Sequence, residues 1–337
     1  MKITYYSKYS SLGPSSRYRI FQFLDLFRSA GIEIEISELF DDQYFDIIRS
    51  NQFFRKIPYT LKRFSNRKGN IDKDKPDLTV VEHQLFPYLP YVLEKTHLPK
   101  RFLLEFDDAI YLTHPRKIAR LIQAATGVIV GNETLGAYAQ RWNAKVHLIP
   151  TVLNTDQFQP AAKKNRSMLT LGWSGLEYNY RYLQLITPVL RRIVSKFPVE
   201  IVILSGGAPK HLNFPYRFEK WDPNREVEQL NQFDIGLMPL NLDEWCKGKC
   251  GFKLLQYMAL EIPSIATNIG VNPQIVDHGI NGFLATDLAD WETSLRELIT
   301  NDTLRQEMGR RARSTVIEKY STDVWFPKLL DLYRSYA

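Results

Sequence analysis

Lys249, Lys253 and Gln256 lie in the run GKCGFKLLQYMALEIPSIATNIG. On a helix over 249–260 these three side chains share a stripe of roughly 60°, with Phe252, Leu255, Met258 and Ala259 on the far side. First-turn N–H groups carry partial positive charge, so an ammonium at the start and another one turn on make a diphosphate site. A glutamine amide two turns from the start is placed to bond hydroxyls beyond it, such as those of a ribose. The apolar run IPSIATNIG follows at once and reads as a central strand, so this helix is expected to flank a cleft rather than show water a basic face.

A second set of residues ends apolar runs: Glu82-His83 after DLTVV, Asp107-Asp108 after RFLLEF, Asn132 after GVIVG, Trp173-Ser174 after LTLG, and Gly206-Gly207 after VEIVILS. Singly, each is ordinary turn or cap chemistry. Together they matter because ligands of doubly wound α/β sheets bind outside the carboxyl ends of the strands. The runs that must position them alternate with amphipathic helical stretches, which predicts parallel β-α-β units. That grammar stops in the polar passage Gln159–Arg166, read as a linker, and restarts at LTLGWSG. Two domains are expected, 1–160 and 166–319, with a closing helix over 320–337 that bears Trp325, Leu329, Leu332 and Tyr333 on one face and returns to the first domain. The strand-end residues would then meet at an interdomain cleft.

Composition narrows the chemistry. The 337 residues are 44% hydrophobic with a net charge of +7, enough for two cores and suited to anionic partners. No run of about 18 apolar residues and no signal-peptide pattern occurs, so the protein is expected in the cytoplasm, or peripheral on the inner face of the plasma membrane. Cys246 and Cys250 lack two further ligands nearby in sequence and read as reduced thiols rather than a zinc site. Asp72 and Asp74 have D-x-D spacing, but they sit in a lysine-interleaved loop ahead of a strand, which is wrong for a metal pair; no metal or cofactor is expected. No G-x-G-x-x-G follows a strand, which argues against an NAD enzyme.

The run GKCGFKLLQYMALEIPSIATNIGVNPQIVDHGINGFLA resembles the nucleotide-sugar signature of retaining GT-B glycosyltransferases of family 4 (glycosyl transferases group 1). GPSSRYRIFQFLDLFRSAGIEIEIS, FDDAIY, GWSGLEYNYRYLQLI, FDIGLMPL and LRQEMGRRARSTVIEKYS extend the likeness over nearly the whole chain. The resemblance implies two Rossmann-like domains and metal-independent transfer of a sugar from a nucleotide-diphosphate donor with retention. By it, Lys249 and Lys253 hold the diphosphate, Gln256 the ribose, and Trp173, Ser174 and Gly206 border the nucleotide. The loop from Gly13 to Arg17 approaches the transferred sugar and its phosphate, where Arg17 offers a fixed catalytic charge. His83, Asp107 and Asn132 orient the acceptor or stabilise an oxocarbenium ion, with Asp108 beside them in substrate binding. The acceptor is a sugar or a lipid-linked sugar of polysaccharide or glycolipid assembly. Three positions depart from the pattern: Gly248 and Gln256 stand where the family's E-x7-E carboxylates do, and Glu261 replaces a glycine that would cap the helix in the left-handed region. Asp243 or Glu244 is a candidate replacement carboxylate. Loss of both glutamates also leaves open a non-catalytic sugar-nucleotide-binding protein, or an epimerase or hydrolase of the same fold.

RSNQFFRKIPYTLKRFSNRK, residues 49–68, holds seven basic residues and no acid, interleaved with Phe53, Phe54, Tyr59 and Phe64. It reads either as a contact for an anionic membrane or as a helix whose aromatic rings face the core. Pro58 is expected to interrupt it. Nucleic acid is not an expected partner, since stacking platforms sit on a sheet face or groove.

Overall fold

The computed structural model describes residues 1–49, 53–73, 75–162 and 168–337. It divides into two compact units, one of Met1–Thr151 with Trp325–Ala337 and the other of Val152–Val324. Part of the passage read as a linker, residues 163–166, lies outside the described residues, as does Asp74. Gln159 and Ala161, just before it, are tied to Asn231 in the second unit by backbone-to-side-chain bonds of 3.1 and 2.9 Å.

The first unit is built on a parallel sheet of β1 (Lys2–Tyr9), β2 (Glu33–Phe40), β3 (Leu78–Glu82), β4 (Leu103–Phe106), β5 (Gly127–Val130) and β6 (Val146–Leu148), in the order β2-β1-β3-β4-β5-β6. Strands β3, β4 and β5 are buried at every residue, as apolar runs covered by helices on both faces must be. Edge strand β2, EIEISELF, keeps its first glutamates at the surface. The order reverses between β1 and β3, so the loops after these strands open a crevice at the carboxyl edge. From Trp325 on, the helix Thr322–Tyr336 belongs to the same unit, where it buries Leu329, Leu330 and Tyr333. The Tyr333 ring stacks on Phe27 at 5.7 Å and the Tyr336 hydroxyl meets His147 Nε2 at 2.7 Å.

The second unit holds β7 (Leu169–Ser174), β8 (Val199–Ser205), β9 (Arg217–Lys220), β10 (Ile235–Met238), β11 (Ser264–Thr267) and β12 (Phe283–Ala285), ordered β12-β11-β10-β7-β8-β9 and also parallel. Its switch point lies between β7 and β10. The two strands missing from the sequence reading, β9 and β12, are the sheet's edges. Each is four residues or fewer, too short for a periodic signal.

The helix Phe252–Ala259 ends in a left-handed cap in spite of its sequence. Glu261 adopts φ 57°, Ile262 N–H donates to Tyr257 O at 3.0 Å and Glu261 N–H to Met258 O at 3.1 Å, the two bonds of a Schellman motif. Replacing the glycine therefore keeps the turn at the steric cost of an L-residue there, about 1 kcal/mol. Glu261→Gly is expected to raise stability by about 0.5–1 kcal/mol in urea unfolding, since relief of strain outweighs the added freedom of the unfolded chain. A loss instead would mean that the glutamate side chain contributes more than the strain costs.

Candidate functional site

In the second unit the site is assembled at the ends of β7 and β8. Trp173 is buried and Ser174 is fixed by the Tyr257 hydroxyl, which accepts from Ser174 N at 2.8 Å and lies 3.1 Å from Ser174 Oγ. Burial pushes the Tyr257 phenol up to about 12, in spite of these bonds, so it is a neutral post. The next residue has to be glycine. A Cβ at Gly175 would stand 2.6 Å from the Trp173 ring and 2.9 Å from Lys253 Cε, so the missing side chain is what lets the lysine stem lie across the strand end. Lys253 Nζ is 5.9 Å from the Trp173 ring centre. One turn further along the same helix, Gln256 is buried, and its Nε2 has no hydrogen-bond partner among the described residues. An unpaired buried amide is costly and rare. The Gly206-Gly207 turn after β8 lies against Glu177, whose carboxylate is 3.0 and 2.8 Å from where their Cβ atoms would be. Tyr180 OH donates to Gly207 O.

Lys253, Trp173, Ser174 and Gln256 thus come together, and Lys249 does not join their stripe. The helix begins at Phe252, behind Gly251 at φ 67°. Lys249 sits ahead of it, its N–H donating to Cys246 O at 3.2 Å and its ammonium 5.8 Å from the Trp245 ring. A left-handed residue ends the 100° per residue register on which the three-residue stripe depended. The expected amphipathy fails too: every residue from Leu254 to Ala259 is buried, Gln256 included. Asp243 is used as a helix cap, its Oδ1 accepting from Cys246 N at 2.8 Å, and Glu244 pairs with Lys247 at 2.5 Å. Cys246 is buried, its Sγ 3.4 Å from the Tyr182 hydroxyl, and neither it nor Cys250 is in a disulfide among the described residues.

In the first unit the site is the crevice edge of β1, β3 and β4. Glu82, the last residue of β3, is buried, and its Oε2 accepts from Lys8 N and from Ser16 Oγ, both at 2.7 Å. This carboxylate joins the end of β1 to the helix Pro14–Arg19. Burial raises its pKa against the pull of His83 and of those bonds. His83 follows at φ 59°, a left-handed position that costs a non-glycine residue energy and marks functional sites. Its Nε2 lies 3.0 Å from Asp107 Oδ1, while the buried Nδ1 has no partner among the described residues. Burial works against the imidazolium, but the bond to Asp107 and the charges of Asp107 and Glu82 outweigh it and raise the His83 pKa. Burial likewise opposes the Asp107 carboxylate, yet His83 and, further off, Arg19 bring it down to about 2. The two form an ion pair. Beneath them Arg19 donates to Glu105 Oε1 at 2.7 Å and to Ile149 O at 2.8 Å, and Tyr5 OH donates to Glu105 Oε2 at 2.7 Å.

Gly13 is needed because a Cβ would meet that of Tyr9 at 2.4 Å. Arg17 turns back on its own loop, donating to Ser11 O at 2.6 Å and Leu12 O at 3.2 Å, which braces the loop. Asn132 caps the helix Glu133–Gln140, its Oδ1 accepting from Leu135 N at 2.9 Å. Asp108 lies beside Asp107, half-exposed, with its carbonyl accepting from Ile110 N at 2.7 Å. Sequence reasoning passed over Glu177 and Tyr257, and gave Glu82 no role. A lone acid or tyrosine in an apolar run carries no local signal, because its partner is 66 residues away for Glu82 and 83 for Tyr257.

The model of the family described as "Glycosyl transferases group 1" matches residues 170–301. N-acetyl-alpha-D-glucosaminyl L-malate synthase of Bacillus anthracis is 33% identical over 335 residues, 88% of this chain and 85% of that protein. Poly(ribitol-phosphate) alpha-N-acetylglucosaminyltransferase of Staphylococcus aureus (strain COL) is 32% identical over 88 residues, 25% of this chain and 18% of that longer protein. The crystal structure of Anabaena Alr3699/HepE in complex with UDP-glucose superposes with a TM-score of 0.73 at 10% identity, covering 99% of this chain and 100% of that one. Its fold is GT-B. Since the match to the glucosaminyl malate synthase runs through both units and the family model covers the strand that carries Trp173 and the helix that carries Gln256, the chain belongs to the glycosyl transferases of group 1.

Proposed function

We propose that the protein transfers a sugar, with retention, from a nucleoside-diphosphate donor held by the second unit to an acceptor held by the first. One observation carries this reading: the Lys253 ammonium laid over Trp173 beside Gly175, with the unpaired Gln256 amide a turn beyond. A charge followed by an unpaired amide suits a diphosphate followed by a ribose. Lys253 neutralises the leaving diphosphate, so departure needs no metal or cofactor in this reading. Lys249, outside the stripe, contributes less. Trp173, Ser174 and the Gly206 turn border the nucleotide. Retention follows if the departing phosphate takes the proton of the attacking acceptor hydroxyl on the same face. The strained His83–Asp107 pair and Asp108 orient the acceptor, and the Gly13 loop, braced by Arg17, offers its backbone to the donor sugar and phosphate. The named relatives transfer N-acetylglucosaminyl groups to malate and to poly(ribitol-phosphate), both anionic, and the net charge of +7 suits an anionic or lipid-linked acceptor met at a membrane in polysaccharide or glycolipid assembly.

The test is a thermal-shift panel of UDP, GDP, ADP and dTDP sugars, followed by NMR of the product's anomeric configuration. One nucleotide at about a hundred times its Kd stabilises the folded state by about 2.7 kcal/mol, a rise in Tm of several degrees. No shift with any of them, or an inverted product, would sink the reading. Within it, Gln256→Ala is expected to lower donor affinity about tenfold through loss of one hydrogen bond. Gln256→Glu restores it, because a ribose hydroxyl can donate as well as accept. If 2′,3′-dideoxy nucleotide lost as much affinity as the normal nucleotide on Gln256→Ala, the ribose assignment would be wrong.

A further inference from the structure

The helix Phe53–Lys73 runs through Pro58 without a break, contrary to the interruption its sequence suggested, and it divides the rings of Phe54, Tyr59 and Phe64 between two fates; the Phe53 side chain lies outside what is described. Tyr59 is buried with its hydroxyl on Asp41, and Phe64 packs on Phe86 at 5.0 Å. Phe54, Ile57 and Leu61 are 78%, 70% and 64% exposed, and at 100° per residue they share a stripe roughly 60° wide. Exposed Arg55, Lys62 and Lys68 flank it. The first three residues of the sequence segment after Arg49, 50–52, lie outside the described residues.

The opposite face of this helix is locked. Arg63 donates to Leu39 O and Glu38 O, both at 2.7 Å, and buried Arg67 donates to Ser7 O at 2.6 Å, Ser37 O at 2.5 Å and Leu85 O at 3.3 Å. These carbonyls lie at or near the carboxyl ends of β1, β2 and β3. The stripe is therefore held outward by five bonds and cannot roll under to bury itself. Lys56 connects it to the acceptor side of the unit, its ammonium 5.6 Å from the Tyr88 ring. Tyr88 in turn lines a cavity of about 590 Å³ between Pro87–Pro90 and Thr113–Lys117, loops that follow β3 and β4. Exposed Val92 and Leu93 follow the first of these loops.

We propose that this face of the first unit docks on an anionic phospholipid bilayer, with Phe54, Ile57 and Leu61 entering below the headgroups and Arg55, Lys62 and Lys68 among them. Three large apolar side chains fixed in water are unfavourable for a free surface. What selects a bilayer over an apolar protein face is the charge: basic flanks with no acid from residue 49 to 68 repel a second copy of the same surface and match anionic headgroups. The inference rests on the transferase reading only in placing the cavity beside the docked face, where a lipid-linked acceptor would arrive.

Co-sedimentation with vesicles of phosphatidylcholine and phosphatidylglycerol tests it. Wild type is expected to bind at low salt and less at high salt. Phe54→Ser, Ile57→Ser and Leu61→Ser together lower binding at least tenfold, and Arg55→Gln, Lys62→Gln and Lys68→Gln together remove the salt dependence. Arg63 is left alone, since it holds the helix. An environment-sensitive fluorophore on Ile57→Cys, in a Cys250→Ser background, shifts to the blue on vesicles and needs no loss-of-function variant to be read. Equal binding by wild type and the triple serine variant, or an unshifted label, overturns the proposal. So does a dimer in ultracentrifugation that the serine variant dissolves, which would make a second copy the occupant. Nucleotide thermal shift in the same variants keeps the two readings separate: docking without a nucleotide shift would sink the transferase reading alone.

Discussion

Lys253→Met is expected to lower kcat/KM by about 10²–10³, or roughly 3–4 kcal/mol of transition-state stabilisation, the usual cost of removing one preorganised group from a developing anion. Methionine keeps an unbranched stem across Trp173 and Gly175, so the loss reports the charge and not the packing. The same change should weaken binding of the nucleoside diphosphate and leave the bare nucleoside alone. Lys249→Ala should cost under about tenfold, because that lysine lies ahead of the helix and its ammonium rests near Trp245. The measurements are steady-state kinetics and titration of wild type and both variants with nucleotide and nucleoside. Equal losses for the two ligands in Lys253→Met would remove the diphosphate from this position.

The fold was legible in the sequence because its central strands are short apolar runs separated by amphipathic helices, and nothing else packs that pattern as economically. The edges were not: RFEK and FLA have no period to read, and their place depends on β8 and β11 being there first. The site divides in the same way. Lys253, Gln256, Trp173, Ser174, His83 and Asp107 are the candidates that residue type at a strand end or helical spacing singles out. Lys249 misled, since a single left-handed glycine, Gly251, resets a register that composition alone extends. Asn132 turned out to cap a helix, which is what asparagine at such a position commonly does. Pro58 and Glu261 show the opposite error. Each broke a local preference and the element stayed intact, held by tertiary bonds from Arg63 and Arg67 in one case and by the local backbone bonds to the Tyr257 and Met258 carbonyls in the other. Glu82 was noticed only as a strand end, because its meaning lies in a contact with Ser16 that only the sheet order creates.

Asp107→Asn is expected to lower turnover about 10²-fold or more and to change how stability depends on pH. The pair it breaks is His83–Asp107, 3.0 Å apart at the end of β3 and β4. In the folded chain the His83 pKa is raised, so its stabilising contribution is fully present below the unfolded value of about 6.5 and fades as pH rises through the folded one. That of Asp107 is depressed to about 2, so its contribution is present above the unfolded value of about 3.9 and is lost as pH falls toward 2. The advantage of wild type over Asp107→Asn should therefore be largest between about pH 4 and 6.5, on the order of 2–3 kcal/mol, and should shrink on both sides of that window. Urea unfolding of the two proteins from acid to mildly basic pH measures it. A purely structural contact would end there, but His83 is held at a positive φ with its Nδ1 buried and unpaired, so the imidazolium has a donor N–H aimed at something the protein itself does not supply. In the variant, burial and the charge of Lys8 act on the imidazole against that of Glu82, and without Asp107 its pKa falls, so the basic-side limb of the pH profile of kcat/KM, where the imidazolium is lost, should move to lower pH along with the drop in rate. A variant that lost stability in this window yet kept the wild-type kcat and pH profile would show that the pair holds the loop after β3 and takes no part in orienting the acceptor.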